Sequence, residues 1–212
     1  MKTQLSTPQK TFLAVLVLIG WFALIAQFYL YFTSKTVSLA EMTIRYFTYF
    51  TIQTNLIVAI AFTSLLFSPS SAVGRFFDKQ QTRAAITVYI LVVGIIYNTI
   101  LRFLWAPTGM QQLVDELLHS VIPLLAFLYW LIFSRKSTLK WTQVFTWLIY
   151  PLVYVICVLL RGAHSGFYPY PFINKTLLGL TKVMVNAVGI TFVFLLICLL
   201  LVGIAKFLNK KI

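Results

Sequence analysis

Six long apolar runs, separated by short polar breaks, dominate the pattern of hydrophobic and polar positions along the chain. Each run is about 20 residues long, which is the length that an α-helix needs to cross the hydrocarbon core of a bilayer. The pattern therefore predicts an all-α polytopic membrane protein. We place its six spans at residues 11–32, 45–67, 84–104, 113–133, 141–160 and 177–207.

The short breaks also predict how the spans are arranged. Consecutive helices joined by short loops lie antiparallel, so we expect a single domain, residues 1–212, that forms an up-down bundle. The sequence contains no internal repeat of the kind found in many secondary transporters. The first run follows Lys2 and Lys10, as a signal sequence would, but it lacks a clear small-residue cleavage site. We interpret it as a retained span.

Composition agrees with this interpretation. Of the 212 residues, 60% are hydrophobic and 10% are charged, which is more apolar than a soluble domain. The formal net charge of +13 does not predict nucleic-acid binding, because the basic residues lie at span ends and not in one patch. Cys157 and Cys198 fall within spans, so we expect no structural disulfide.

The basic residues divide unequally between the two predicted sides of the membrane. The larger group comprises Lys2, Lys10, Arg75, Lys79, Arg83, Arg135, Lys136, Lys140, Lys206, Lys210 and Lys211. The smaller group comprises Lys35, Arg45, Arg102, Arg161, Lys175 and Lys182. Because the side richer in Lys and Arg is normally cytoplasmic, we expect both termini to be cytoplasmic.

Polar side chains collect at the predicted outer ends of spans two to five, where each requires a partner or a function. In span two, Thr48, Thr51 and Asn55 share one helical face at spacings of three and four. The other members are Asn98, Arg102, Asp115, Glu116, His119 and Arg161, followed by His164, Tyr168 and Tyr170 in a segment, residues 161–172, that we expect to cap the outer face. This cluster is the candidate site.

Most of these residues also have ordinary explanations. A helix threonine often donates to its own preceding carbonyl, an asparagine bridges helices, an arginine near a helix end extends to the interface, and tyrosines gather there. His119 is the only histidine within an apolar span, where a neutral imidazole can act as a base. We predict no metal and no cofactor, because no second His or Cys lies at ligand spacing and no glycine-rich phosphate loop is present.

A nucleophile requires a positioned base, and the base often requires a third group that orients its ring. Thr48, His119 and Asp115 can supply these three roles if spans two and four pack together. Two non-hydrolytic functions stay open on the residues alone: a small-solute transporter or channel, and a non-catalytic accessory protein. Transport is less favoured, because the spans carry almost no ionisable residue near the midplane, where transporters usually bind their substrates.

Three segments carry a family resemblance: residues 45–56, residues 115–130 with His119 and Pro123, and residues 161–172. Together they resemble the bacterial Pr-six-Pr membrane proteins over most of the chain. That group is distantly similar to the androgen-induced and androgen-dependent multipass proteins. Those proteins are membrane threonine hydrolases that act on fatty acid esters of hydroxy fatty acids.

The resemblance implies roles for particular residues. In those hydrolases a threonine near the start of span two and a histidine followed four residues later by proline carry catalysis, and these motifs fall on Thr48 and His119. Thr51 and Thr54 lie close enough to be alternatives to Thr48. Asp115 stands where the relatives carry a neutral amide, so the resemblance assigns it no relay role.

What the resemblance implies overall is a hydrolase of fatty-acyl esters in a bacterial plasma membrane. Threonine would attack the ester carbonyl after deprotonation by His119, and water would release the acyl group. Asn55, Asn98 or Arg102 would stabilise the oxyanion or hold a substrate carboxylate.

Overall fold

The computed structural model describes residues 5–209, and all regular secondary structure in that range is helical. The α-helices are α1 (Thr7–Thr33), α2 (Leu39–Thr48), α3 (Phe50–Phe67), α4 (Ala72–Asp78), α5 (Gln80–Thr99), α6 (Gly109–Glu116), α7 (Ile122–Phe133), α8 (Gln143–Trp147), α9 (Ile149–Ser165) and α10 (Lys175–Asn209). Two 3₁₀ turns, Leu101–Phe103 and Pro171–Ile173, and one π-helical turn, Leu117–Val121, complete the fold.

Six helical segments are long and apolar enough to cross a membrane. They are Thr7–Thr33, Phe50–Phe67, Gln80–Phe103, Gly109–Phe133, Gln143–Ser165 and Lys175–Asn209. The prediction of an all-α chain with six candidate spans is therefore confirmed, although the boundaries of the second and fifth spans differ from those predicted.

The second span begins later than the predicted 45–67, because the helix is interrupted at Tyr49, which is extended (φ −71°, ψ 126°). The backbone groups around this break are bonded by side chains. Gln53 Nε2 donates to the Phe47 carbonyl (2.8 Å), and the Tyr154 hydroxyl donates to the Thr48 carbonyl (3.0 Å). Such bonds remove the penalty of leaving polar groups unpaired. Thr48 thus ends α2 and does not belong to the span.

The fifth span is longer than the predicted 141–160. Helix α9 continues to Ser165 and ends at Gly166, which adopts the left-handed conformation (φ 72°) that terminates helices readily. Arg161 and His164 are consequently helical. The prediction that residues 161–172 form a cap after the fifth span is therefore wrong for residues 161–165, which belong to the helix. The irregular connection to α10 begins at Gly166.

The first and fourth candidate spans run antiparallel. Gln9, near the start of α1, donates to the Tyr129 hydroxyl near the end of α7 (3.0 Å). At the other end of the same helices, Gln111 of α6 donates to Gln27 of α1 (2.9 Å). We call the end of the bundle that contains Gln27, Gln111 and the α9–α10 connection the site end.

Candidate functional site

A cavity of about 510 Å³ lies at the site end, within the volume range of small-molecule sites. The aromatic and apolar part of its lining comprises Leu30, Tyr31, Tyr46, Tyr49, Ile52, Tyr97, Leu101, Leu104, Trp105, Leu118, Pro169, Tyr170 and Pro171. The polar part of the lining is smaller and comprises Gln27, Ser34, Thr51, Gln111, Asp115 and His119. Four candidates from the sequence therefore meet in one space: Thr51, Asp115, His119 and Tyr170. We call this space the polar cavity.

The ring of His119 is held by Asp115, one helical turn earlier. His119 Nδ1 lies 2.9 Å from the Asp115 backbone carbonyl and 3.2 Å from the Asp115 Oδ1 atom. Both partners are acceptors, so Nδ1 carries the proton. The lone pair of the neutral imidazole is then on Nε2, which is the nitrogen available as a base.

Tyr97 fixes the plane of the same ring. The Tyr97 and His119 rings stack with centroids 4.1 Å apart and an interplanar angle of 13°. The Tyr97 hydroxyl donates to Asp115 Oδ2, so the buried carboxylate is bonded by both rings. Sequence reasoning missed Tyr97. Its position in the sequence could have indicated it, because Tyr97 precedes Asn98 and lies at the same predicted membrane depth as the polar cluster.

The π-helical turn places His119 and has a physical cause in the residues that follow. The Ile122 N–H donates to the Leu117 carbonyl, five residues back, which leaves the Leu118 carbonyl without its usual partner. Pro123 has no N–H, so the His119 carbonyl also lacks its helical donor. These two free carbonyls face neighbouring spans.

Two asparagines satisfy the freed carbonyls. Asn55 Nδ2 donates to the Leu118 carbonyl (3.2 Å) and to the Thr51 carbonyl (2.9 Å). Asn98 Nδ2 donates to the His119 carbonyl (3.2 Å). Each predicted supporting asparagine thus bonds the backbone of the turn that carries His119, and Asn55 joins that turn to Thr51.

Close approach of α5 to this turn depends on a glycine. A Cβ atom added at Gly94 would lie 3.2 Å from the His119 carbonyl oxygen and 3.1 Å from the Cβ atom of Pro123. Both contacts are tighter than ordinary van der Waals packing. The absent side chain at Gly94 therefore allows α5 to pack directly on the His119–Pro123 segment.

Thr51 lies in the first turn of α3, next to Tyr170. The Thr51 N–H donates to the Tyr170 hydroxyl (3.2 Å), and Thr51 Oγ1 lies 3.4 Å from the same hydroxyl. Burial raises the pKa of Tyr170, so its hydroxyl keeps its proton near neutral pH. Tyr170 can therefore donate to an atom bound beside Thr51.

Thr48 occupies a different position. Its Oγ1 donates to the Ile44 carbonyl (2.6 Å), the ordinary bond of a helix threonine. Thr48 is buried but is not one of the residues that line the polar cavity. The break at Tyr49 separates it from Thr51, so the expected common helical face of Thr48, Thr51 and Asn55 does not form.

The predicted arginines are engaged in ion pairs outside the cavity lining. Arg102 contacts Glu116 (2.6 Å) and also Ser120 (3.2 Å). Arg161 contacts Glu41 (2.8 Å), which Arg45 also contacts (2.7 Å). Glu41, which the sequence analysis did not single out, thus ties α2 to α9, and bonding to Arg45 and then Arg161 lowers the pKa of Glu41.

His164 and Tyr168 also lie outside the lining. His164 is exposed near the end of α9. Tyr168 packs on Gly162, where an added Cβ would lie 2.1 Å from the Tyr168 ring. Within residues 5–209 no group of three or more His, Cys, Asp or Glu residues is placed to hold a metal ion.

A second cavity, of about 300 Å³, adjoins the first and is apolar. It lies among α3, α5, α8, α9 and α10, and its lining includes Val92, Ile96, Leu152, Val155, Ile190 and Phe194. Thr51, Leu101 and Tyr170 line both cavities. We call this second space the apolar cavity; Thr51 and Tyr170 stand at its junction with the polar one.

Comparisons of the chain with protein-family models, with curated proteins and with solved structures gave no match. The Pr-six-Pr resemblance therefore stays a hypothesis based on the sequence.

Proposed function

We propose that the chain is an intramembrane threonine hydrolase of lipid (fatty-acyl) esters, with Thr51 as the nucleophile and His119 as the base. The supporting observation is that both side chains line one cavity in which His119 Nδ1 is held by Asp115, leaving Nε2 free. This replaces Thr48, the nucleophile expected from the sequence, because Thr48 bonds its own helix and does not line that cavity.

The proposed reaction uses groups already present in the cavity. His119 Nε2 takes the proton of Thr51 Oγ1 as this oxygen attacks the ester carbonyl. Collapse of the tetrahedral intermediate releases the alcohol, which receives that proton from His119. Water then attacks the acyl-threonine carbonyl as His119 takes its proton. Collapse of this second intermediate releases the fatty acid, and His119 returns the proton to Thr51 Oγ1.

Donors for the developing oxyanion are available beside the nucleophile. The Tyr170 hydroxyl accepts a bond from the Thr51 N–H and lies 3.4 Å from Thr51 Oγ1, so its proton is positioned to bond an oxygen that forms beside Thr51. Thr51 also lies at the N-terminus of α3, where the helix dipole favours negative charge. Preorganised donors of this kind are usually the largest contribution to acyl-transfer catalysis.

A fluorophosphonate probe tests the assignment, because an activated hydroxyl displaces its fluoride and forms an O–P bond. We expect the wild-type protein and Thr48→Ala to be labelled, and Thr51→Ala and His119→Ala not to be. Thr51→Ser should retain labelling. If labelling is unchanged in both Thr51→Ala and His119→Ala, the catalytic assignment is wrong; if Thr48→Ala alone abolishes it, the nucleophile is Thr48.

A further inference from the structure

Three arginines at the site end are candidates for binding a substrate carboxylate, but none lines the polar cavity. Arg102 is paired with Glu116, and Arg45 and Arg161 are paired with Glu41. The lining given by residues 5–209 contains neither lysine nor arginine. Asp115 is its one carboxylate. The guanidinium groups stand behind the lining: Arg102 lies 5.2 Å from the centre of the Tyr97 ring and is paired with Glu116. An anionic group in this space would therefore face Asp115 directly, and the nearby arginines are already paired with carboxylates.

The polar cavity nevertheless offers many hydrogen-bonding groups. Gln27, Ser34 and Gln111 carry amide or hydroxyl groups, and Tyr31, Tyr46 and Tyr49 carry phenol groups. Some of these groups already donate within the chain: the Tyr46 hydroxyl to the Leu24 carbonyl, Ser34 Oγ to the Tyr31 carbonyl, and Gln111 Nε2 to Gln27 Oε1. Their oxygens can still accept a bond from an uncharged ligand hydroxyl, whereas a carboxylate is an acceptor only and is repelled by Asp115. The lining therefore suits a neutral, hydroxyl-bearing group.

The apolar cavity provides the complementary environment for a hydrocarbon chain. Its lining is aliphatic and aromatic except near Thr51, Tyr154, Tyr170 and Thr191. Thr51 and Tyr170 line both cavities and are bonded to each other, so the linking atoms of a molecule whose polar and apolar parts fill the two cavities would lie beside Thr51. In an ester, those linking atoms are the carbonyl and its alkoxy oxygen.

We propose that the apolar cavity binds the acyl chain of an ester and the polar cavity binds an uncharged polyol part, as in a monoacylglycerol. This inference rests on the proposed function for the reaction but not for the binding. A site of this kind disfavours esters whose alcohol part bears a free carboxylate, which are the substrates that the family resemblance implies.

The charge preference is tested with a matched pair of esters. One is the palmitoyl ester of a hydroxystearic acid with its free carboxylate, and the other is the same ester with that carboxylate converted to a primary amide. We expect the amide, and monoacylglycerol, to be hydrolysed with kcat/KM at least about tenfold higher than the carboxylate. Equal values, or a preference for the carboxylate, would overturn the proposal.

A charge placed in the cavity should change that preference. Gln111 lines the polar cavity, whereas its neighbour Gln112 is exposed and does not. Gln111→Lys should raise kcat/KM for the carboxylate ester relative to the amide by about tenfold, and Gln112→Lys should leave the ratio unchanged. A similar change in both variants would place the discrimination outside the cavity and contradict the proposal.

The acyl-chain site is tested by filling it. Ala187 lines the apolar cavity, whereas Val188 on the same helix is 66% exposed. Ala187→Phe, or the milder Ala187→Leu, should reduce kcat/KM for umbelliferyl palmitate at least about tenfold and for umbelliferyl butyrate much less. Val188→Phe should affect neither ester. Equal losses for the two chain lengths would contradict the proposal.

Binding without turnover separates this inference from the proposed function. Ether analogues that cannot be hydrolysed should raise the Tm of the wild-type protein when their polar part is neutral. They should raise it less when that part is a carboxylate, and less in Ala187→Leu than in Val188→Phe. If this pattern is observed while no ester is hydrolysed, the hydrolase proposal fails and the binding site stands; if it is not observed, the binding site fails.

Discussion

At the scale of single residues, Asp115 determines the orientation of His119 more directly than any other side chain at the site end. Its carboxylate accepts from the Tyr97 hydroxyl and lies 3.2 Å from His119 Nδ1. A carboxylate in this position holds the tautomer with a basic Nε2 and stabilises the imidazolium formed during proton transfer. These distances fit the orienting role that the proposed mechanism requires of Asp115, which the family resemblance did not assign to it.

Asp115→Asn tests that role. An amide nitrogen facing Nδ1 favours the opposite tautomer, so we expect kcat for a neutral acyl ester to fall about tenfold or more. Tyr97→Phe is the matched control, because it keeps the ring stack and removes only one of the two bonds to Asp115. It should reduce kcat by a smaller factor. If the two variants lose the same activity, or Asp115→Asn loses none, Asp115 does not orient the base.

At the scale of secondary-structure elements, two interruptions build the site, and neither was predictable from local sequence. Residues 45–67 contain no proline or glycine, so the sequence predicts a continuous helix. The break at Tyr49 is satisfied by the distant Tyr154 and Tyr170 hydroxyls, on parts of the chain that no local pattern connects to it. It separates Thr48 from Thr51.

The π-helical turn is a partial exception. The H-x-x-x-P spacing shows that the His119 carbonyl lacks its helical donor, and the asparagines were recognised as candidates for bridging helices. Which carbonyl each asparagine bonds depends on the packing of α3 and α5 against the turn. In contrast, Asp115 and His119 are four residues apart in the chain, which places them on one helical face. Their proximity was therefore predictable from the sequence alone.

Pro123→Ala tests whether the turn serves the chemistry. The new N–H at position 123 can bond the His119 carbonyl, which favours a regular α-helix in place of the π-helical turn and rotates His119 relative to Thr51. We expect hydrolysis to fall about tenfold or more while Tm stays the same or rises, as expected for a site that is strained for function. Pro8→Ala, in the first turn of α1, is the control and should leave hydrolysis unchanged. Loss of Tm together with activity would indicate a structural role only.

The ion pairs of Glu41 predict how the α2–α9 contact depends on pH. Bonding to Arg45, and then to Arg161, lowers the pKa of Glu41 from 4.5. A lowered acid pKa gives stabilisation that is present above the unfolded-state value and is lost as pH falls through the folded-state value.

The Tm of Glu41→Gln in detergent should therefore lie below that of the wild type at pH 6, and the difference should shrink below about pH 4.5 as the wild-type carboxylate becomes protonated. A difference that is constant over this range would mean that Glu41 acts through packing and not through charge.

At the scale of the whole molecule, the bundle is apolar on its sides and polar at the site end. Six candidate spans were predictable because length and apolar composition are properties of each segment taken alone. The two cavities were not, because their walls combine residues from most of the helices. Their junction at Thr51 depends on how α3, α5 and the α9–α10 connection pack together.

Under the proposed function, the orientation of the bundle decides which leaflet supplies the substrate. The end opposite the site end carries the members of the larger basic group that lie within residues 5–209: Lys10, Arg75, Lys79, Arg83, Arg135, Lys136, Lys140 and Lys206. The positive-inside tendency therefore predicts that the polar cavity faces the outer leaflet. This can be measured with single-cysteine reporters in a Cys157→Ser, Cys198→Ser background. His164→Cys reports on the site end, and Ser137→Cys reports on the opposite end; both positions are exposed.

A membrane-impermeant maleimide should label His164→Cys in intact spheroplasts and Ser137→Cys only after permeabilisation. The reverse pattern would place the polar cavity at the inner leaflet. The contacts of Thr51 with Tyr170 and of His119 with Asp115 do not depend on this orientation, so the reverse pattern would leave the proposed chemistry unchanged. It would instead change the pool of lipid esters that can reach Thr51 without crossing the bilayer.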